Sequence, residues 1–381
     1  MISAKANLRD RGFDDVRAAF APGRINIIGE HTDYNGGFVL PAAIDLGVHA
    51  AVVALPDRQL VMRSLQVPDD VVAIDIDRLE PGSCHGWSAY AAGAVWALVD
   101  GVRARSGLEI VIDGHVPLGA GLSSSAALEC AVLVACANLW DLDLSPRELA
   151  RRAQRAENEF VGVPTGSMDQ VASMMSVRGC ALFYDVRDER ITSVPLSLGD
   201  HGLSLVVIDT RAAHELVDGG YADRRATCER AAEVLGVDFL RDIEDLDAAT
   251  EILRTYPDSE RLIARTRHVV TENARVLDAV DALHREDFVI LGHLLSDSHA
   301  SLRDDYEVSC AELDAAVEAS MSAGALGARM MGGGFGGSAI ALIESTRLSV
   351  LRSAVASNFT DRGFEPASLH VVEPGPGACV M

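Results

Sequence analysis

The segment Pro117 to Trp140, PLGAGLSSSAALECAVLVACANLW, places the tightest limit on what this chain can fold into. It follows GLEIVIDGHV, which alternates like a strand, and it opens with glycines at 119 and 121 before an apolar run of helical length. A strand must therefore turn sharply into a buried helix. Glu129 and Asn138 interrupt the run, so it reads as a core helix rather than a bilayer span, which needs about 18 consecutive apolar residues. Converging backbone N–H groups, the hydroxyls of Ser123, Ser124 and Ser125, and the positive N-terminal end of the helix together make a nest for phosphate oxygens. One of the three hydroxyls can also face a metal ion. The plainer alternative is an ordinary Gly/Ser turn. A nucleophile elbow is excluded, because G-x-S-x-G needs glycine where Ser125 stands.

Composition removes other routes to phosphate chemistry. Lys5 is the only lysine, so neither a Walker A loop, nor a protein-kinase site, nor a pyridoxal Schiff base can be built. With 381 residues and 49% hydrophobic content, the chain can bury a large core and is long enough for two lobes with a cleft between them. A formal charge of -23 repels nucleic acid and anionic membrane surfaces, leaving small ligands and metal cations as partners. Solubility or adaptation to salt accounts for the acidity itself. The 7 cysteines are widely spaced without a C-x-x-C pair, the pattern of reduced core thiols. MISAKANLRDRGFDD has no apolar leader core, and we expect a cytoplasmic monomer.

Strand-like runs dominate the first quarter: RINII, GVHAAVVAL, LVMRS and VVAIDI. WSAYAAGAVWALVDG has helical length. SPRE announces another helix, with Ser145 as cap, Pro146 at the first position and Glu148 closing a capping box, and this helix carries Glu157 near its end. The loop GVPTGSMDQ and the strands GCALFYD and LSLVVID follow. From about Tyr221 the pattern turns helical, and strands return in GARMM, SAIALIE and near SLHVVE. The shift near residue 200 marks the expected domain boundary.

Two further motifs carry chemistry. GRINIIGEHTDYNGG gathers Arg24, Glu30, His31, Asp33 and Asn35. A solvated turn or a metal site from Glu30, His31 and Asp33 is possible, but carboxylates beside imidazole are also what directed recognition of sugar hydroxyls requires. MGGGFGGSA fits G-x-G-x-x-G, yet both flanks read as strands, which makes it a glycine hairpin rather than a dinucleotide site. Asp169 stands in a Gly/Pro loop at the start of a helix.

Taken together, these motifs resemble those of the galactokinases within the GHMP small-molecule kinases. GRINIIGEHTDYNGG is similar to the galactokinase signature, PLGAGLSSSAALE to the shared phosphate loop and MMGGGFGGSAIAL to the shared third motif, in the family's order and spacing. The resemblance implies an α+β, two-lobed GHMP kinase fold with the active site in the cleft. Residues 1–200 would form a strand-rich N-terminal domain carrying the sugar signature and phosphate loop. Residues 201–381 would form a helix-rich C-terminal domain carrying the third motif. It implies that Arg24, Glu30, His31, Asp33, Gly166, Asp169 and Tyr221 hold galactose. Gly119, Ala120, Gly121, Leu122, Ser123, Ser124 and Ser125 would wrap the phosphates of ATP, with Trp87 near the adenine. Ser125 and Glu157 would serve Mg²⁺, and Asp169 would accept the proton of the anomeric hydroxyl beside Arg24.

Two positions depart from the family pattern: Ala213 stands where a basic residue is common, and Thr165 where Cys is. Backbone donors, a helix N-terminus and Mg²⁺ can support phosphoryl transfer without lysine. The competing readings are a glycoside hydrolase pairing Glu30 with Asp169, a non-catalytic sugar sensor, and a kinase for N-acetylgalactosamine or another galactose-like sugar.

Overall fold

The computed structural model describes residues 3–99, 106–117, 119–212 and 217–381. A six-stranded mixed sheet runs in the order Cys379–Val380, Arg17–Asn26, Pro41–Leu55, Gly107–Gly114, Gln59–Ser64 and Val72–Asp75. Its neighbours are antiparallel except Gln59–Ser64 against Gly107–Gly114, which is parallel. The helices Trp87–Val99 and Ser124–Leu139 pack on each other, and the second lies against the first two long strands. Ser124–Leu139 is apolar on every side because it is enclosed on every side.

A second, four-stranded antiparallel sheet is ordered Gly327–Met331, Ser338–Glu344, Leu203–Asp209 and Ser368–Val372. The expected glycine hairpin is there: the first two of these strands are joined through residues 332–337. The helices Val217–Leu235, Leu246–Leu253, Ser259–His284, Phe288–Asp304 and Ala311–Ser322 supply the helical region, with Leu348–Arg362 added between the last strands. That last helix sends Leu351, Val355 and Phe359 into the core at four-residue spacing. A third sheet, of three strands, joins Phe38–Val39 to the hairpin Cys180–Asp185 and Arg190–Pro195.

The core is shared across the sequence halves. Ile27, Leu40, Leu205, Val276, Met331 and Ile340 belong to one buried cluster. Among the described residues no helix is long and apolar enough to cross a membrane.

Local chemistry explains several boundaries. The RINII run leaves regular strand geometry after Asn26, at the point where Arg329 Nη1 donates to the carbonyls of Asn26 and Ile27 at 3.1 and 2.9 Å. Ser145 and Glu148 form the expected capping box, with Pro146 opening the helix Pro146–Arg155. That helix then widens into a π-helical turn, Ala156–Val161, and it is this turn that carries Glu157.

Candidate active site

The strand Arg17–Asn26 changes register between Pro22 and Arg24, a bulge that re-aims the following side chain. A Cβ on Gly23 would stand 2.7 Å from the Leu122 carbonyl, so the strand can approach this loop so closely only with glycine at that position. The Arg24 N–H donates to that carbonyl at 3.1 Å. Arg24 is then fully committed. Its Nε and Nη2 donate to Asp169 Oδ1 and Oδ2 at 2.9 and 3.0 Å, and its Nη1 donates to the Gly121 carbonyl at 2.5 Å. A bidentate guanidinium fixes a carboxylate in both plane and direction.

In the loop itself, Gly119, Gly121 and Ser123 have φ of 77, 67 and 56°, so left-handed residues alternate with ordinary ones in the manner of an anion-binding nest. The third glycine-rich motif lies against this loop, with Ser338 Oγ donating to the Ala120 carbonyl at 2.6 Å. The three serines divide. Ser123 Oγ donates to Asp169 Oδ2 at 2.5 Å, a second partner for Asp169 that sequence reasoning did not provide. Ser125 lies beside Glu157, where its hydroxyl favours the ionised carboxylate. Ala213, which stands where a basic residue is common in the family, lies outside the described residues, and the loop neighbour Leu118 does too.

A cavity of about 540 Å³ opens beside this constellation, lined among others by Arg24, Glu30, His31, Asp33, Gly166, Asp169, Tyr221 and Gly333. All seven residues expected to hold a sugar are therefore brought together. Asp33 starts a short 3-10 turn, and its Oδ1 accepts from the Tyr34 N–H at 2.9 Å. Burial, then the charge of Asp169, pushes its carboxyl up to about 6. A Cβ on Gly166 would fall 1.7 Å from Asp33 Oδ2, so only glycine lets the two loops meet. Asn35 holds the turn by donating from Nδ2 to the His31 carbonyl at 2.9 Å. Arg241, from the helical half, pairs with Asp185 and donates to the Gly36 carbonyl at 2.7 Å.

Glu30 is held from behind. Its Oε1 accepts from the Gly332 N–H at 2.8 Å and lies 3.1 Å from Nη2 of the fully buried Arg329. Glu272, also fully buried, accepts from the Gly29 N–H at 3.0 Å, Ser298 Oγ at 2.7 Å and Arg275 Nε at 2.7 Å. Arg275 compensates the burial, and the Glu272 carboxyl sits at about 2. Sequence reasoning missed this inner layer of Arg329, Glu272, Tyr34, Tyr306 and His268. An arginine inside GARMM, a strand otherwise apolar and small, was its one visible trace.

Glu157 accepts from Thr165 Oγ1 at 3.1 Å and Gln170 Nε2 at 2.6 Å, all neutral donors, and burial followed by the charge of Asp169 lifts its carboxyl to about 7. Glu129, in the helix Ser124–Leu139, is completely buried with neither oxygen partnered among the described residues, and burial, then the charge of Glu157, raises its carboxyl well above the ordinary value. Trp87 is not among the cavity-lining residues; it begins the helix Trp87–Val99, and its indole N–H donates to Asp70 at 2.8 Å.

Residues 11–54 match the galactokinase galactose-binding signature, residues 89–177 the GHMP kinases N terminal domain and residues 279–361 the GHMP kinases C terminal domain. A galactokinase of Streptomyces coelicolor is 45% identical over 360 residues, covering 94% of this chain and 92% of its own. A galactokinase of Exiguobacterium sibiricum is 41% identical over 373 residues, covering 96% and 94%. The crystal structure of Lactococcus lactis galactokinase complexed with galactose superposes with a TM-score of 0.91 at 35% identity, over 99% of this chain and 98% of that one. A mevalonate kinase shares the fold alone, at 15% identity and a TM-score of 0.69. The signature, the phosphate loop and the hairpin that meets it thus agree with whole-chain likeness, and the chain belongs to the galactokinases within the GHMP kinases.

Proposed function

We propose that the chain transfers the terminal phosphoryl group of ATP to the anomeric hydroxyl of galactose, with Asp169 receiving the proton. The observation that carries this reading is the double engagement of Arg24, which grips Asp169 with two nitrogens and the Gly121 carbonyl with the third. One side chain thereby holds the proton acceptor at the mouth of the phosphate nest. A hydroxyl placed in the cavity can meet Asp169 on one side and a phosphoryl group cradled by residues 119–125 on the other. As the new O–P bond forms, the hydroxyl proton passes to Asp169, whose orientation Arg24 and Ser123 maintain. Glu30, His31, Asp33, Gly166 and Tyr221 shape the sugar side. Most of the rate then comes from positioning and from donors aimed at the moving charge.

The residues fit a magnesium ion. Glu157 is a buried carboxylate with only neutral hydrogen-bond partners and with Asp169 as a second negative charge nearby, an arrangement a cation relieves. Glu157 and the Ser125 hydroxyl would hold the ion, leaving its other positions to phosphate oxygens and water, and it would supply charge neutralisation to the phosphates. Coupled measurement of ADP release with galactose, N-acetylgalactosamine, glucose and no sugar, each with ATP and Mg²⁺, tests the reading. Turnover with galactose and its absence without sugar is expected. Release of free sugar from a galactoside without nucleotide would favour a hydrolase instead.

A further inference from the structure

Behind the sugar side of the cavity lies a line of buried polar groups that the proposed chemistry does not use. His31 is itself in the left-handed region, with φ of 62°. Its ring centroid is 4.7 Å from that of Tyr306 and 5.6 Å from that of Tyr221, and the ring is nearly enclosed, at 5% exposure. Its Nδ1 lies 2.8 Å from Tyr34 Oη, which lies 2.8 Å from Tyr306 Oη, which in turn lies 3.1 Å from Cys228 Sγ. On the other edge of the ring, Nε2 is buried and has no hydrogen-bond partner among the described residues, although His31 lines the cavity.

The direction of these hydrogen bonds follows from charge, proton count and donor strength. First, burial, with His268, Arg224 and Arg329 nearby, lowers the imidazolium to about 3, so His31 is neutral and carries one N–H. Second, the Tyr34 hydroxyl has a single proton and two polar neighbours, His31 Nδ1 and Tyr306 Oη, each at 2.8 Å, so it gives one of these bonds and receives the other. Third, a phenol is the better donor and an imidazole nitrogen the better acceptor, so the stronger arrangement has Tyr34 giving its proton to Nδ1. Tyr306 is then free to donate to Tyr34, and the thiol of Cys228 to Tyr306.

We propose that Tyr34, itself oriented by Tyr306, is a positioning residue that locks His31 as the Nε2–H tautomer, so that the sugar meets a hydrogen-bond donor among otherwise acceptor-rich carboxylates. Glu30, Asp33 and Asp169 can only accept from a sugar when ionised. A sugar hydroxyl that donates to one of them still needs a donor for its own oxygen. The locked imidazole supplies it, and the lock sets which hydroxyl is read. This inference rests on the sugar occupying the cavity, as proposed above.

Imidazole ¹⁵N–¹H correlation spectra of the labelled protein, with His31 assigned by its loss in His31→Gln, read the tautomer directly and need no turnover. A protonated Nε2 with a lone pair on Nδ1 is expected in the wild type, and a mixture of tautomers in Tyr34→Phe. An Nδ1–H tautomer in the wild type overturns the proposal even if Tyr34→Phe fails to fold. The second reading is kcat/KM for 2-, 3-, 4- and 6-deoxygalactose. One of the four should fall about tenfold or more below galactose in the wild type, and in Tyr34→Phe that penalty should shrink severalfold while the other three are unchanged. A uniform loss across all four would make Tyr34 merely structural and overturn the specificity claim. Failure to phosphorylate galactose at all would sink the functional reading, while the spectra would still decide the tautomer.

Discussion

Replacing Asp33 by asparagine should stabilise the ligand-free enzyme while damaging its grip on the sugar. Burial and the charge of Asp169 raise the Asp33 carboxyl from 3.8 to about 6. Each unit is worth about 1.4 kcal/mol, so the ionised group costs the folded state about 3 kcal/mol at most, less whatever the water in the cavity screens. The sign follows from linkage. The folded protein holds this proton more tightly than the unfolded chain, so the contribution favours folding at low pH and is lost as pH rises through about 6. The replacement amide carries no such charge and can still accept from the Tyr34 N–H. Urea unfolding should show the variant gaining roughly 2–3 kcal/mol at pH 7.5 and about half that at pH 5. The amide would turn a donor toward a sugar hydroxyl that needs an acceptor, so galactose KM should rise between about tenfold and a hundredfold. In the wild type, galactose binding should weaken as pH falls through about 6, and in the variant that dependence should disappear. A variant no more stable than wild type at pH 7.5, or one with the same gain at both pH values, would refute the buried-charge argument. An unchanged KM would remove Asp33 from the sugar contacts.

Asp169→Asn keeps an acceptor for Arg24 but cannot take a proton, and single-turnover rates should drop by roughly 10² to 10⁴ with galactose affinity little altered. A loss under tenfold would leave Asp169 as a sugar ligand and assign the rate to positioning. Gly166→Ala puts a methyl group where Asp33 Oδ2 now lies, at 1.7 Å, so galactose KM should rise at least about tenfold, while the ATP KM, read in the same assay, stays within about twofold. Arg329→Met strips the cation from the buried Glu30 carboxylate and should cost about 3–5 kcal/mol in urea unfolding. A loss under about 1 kcal/mol would show that the Gly332 N–H alone satisfies Glu30.

What the sequence disclosed, and what it withheld, divides by range of interaction. The capping box at Ser145 and Glu148, the glycine hairpin and the turn from the strand Gly107–Gly114 into the helix Ser124–Leu139 depend on neighbours a few residues away, and as local structure all three stand as read. The polar cluster after Gly23 was recognisable because so many ionisable groups in a row serve no core. Its internal order was not. Asn35 serves the turn, Glu30 is braced by Arg329 some three hundred residues along, and the bulge that aims Arg24 arises from contact with Leu122. The three serines were indistinguishable by composition. They separate because Ser123 precedes the helix in a left-handed conformation, which sends its hydroxyl to Asp169, while Ser125 lies in the first helical turn beside Glu157. Glu129 was noted only as an interruption of an apolar run. That it lies wholly buried behind Glu157 depends on helix packing, which no local pattern encodes.

The pairing of Cys379–Val380 with the outer side of Arg17–Asn26 bears on how the molecule is made. Among the described residues Ala19 and Phe20 find partners there in Val380 and Cys379, and the adjoining residues are tied in as well, Gly375 N–H to the Ala43 carbonyl and Gly377 N–H to that of Ser176. A ribosome delivers Arg17–Asn26 some three hundred and fifty residues before Cys379–Val380, so this side of the first long strand waits unpaired for tens of seconds at about 5–20 residues per second. An open strand edge is a template for whatever β-segment arrives first. Nascent chains stalled or clipped before that closing strand would therefore be more prone to aggregate than the finished protein. They would also be less active, because the strand left half-paired is the one that carries Arg24.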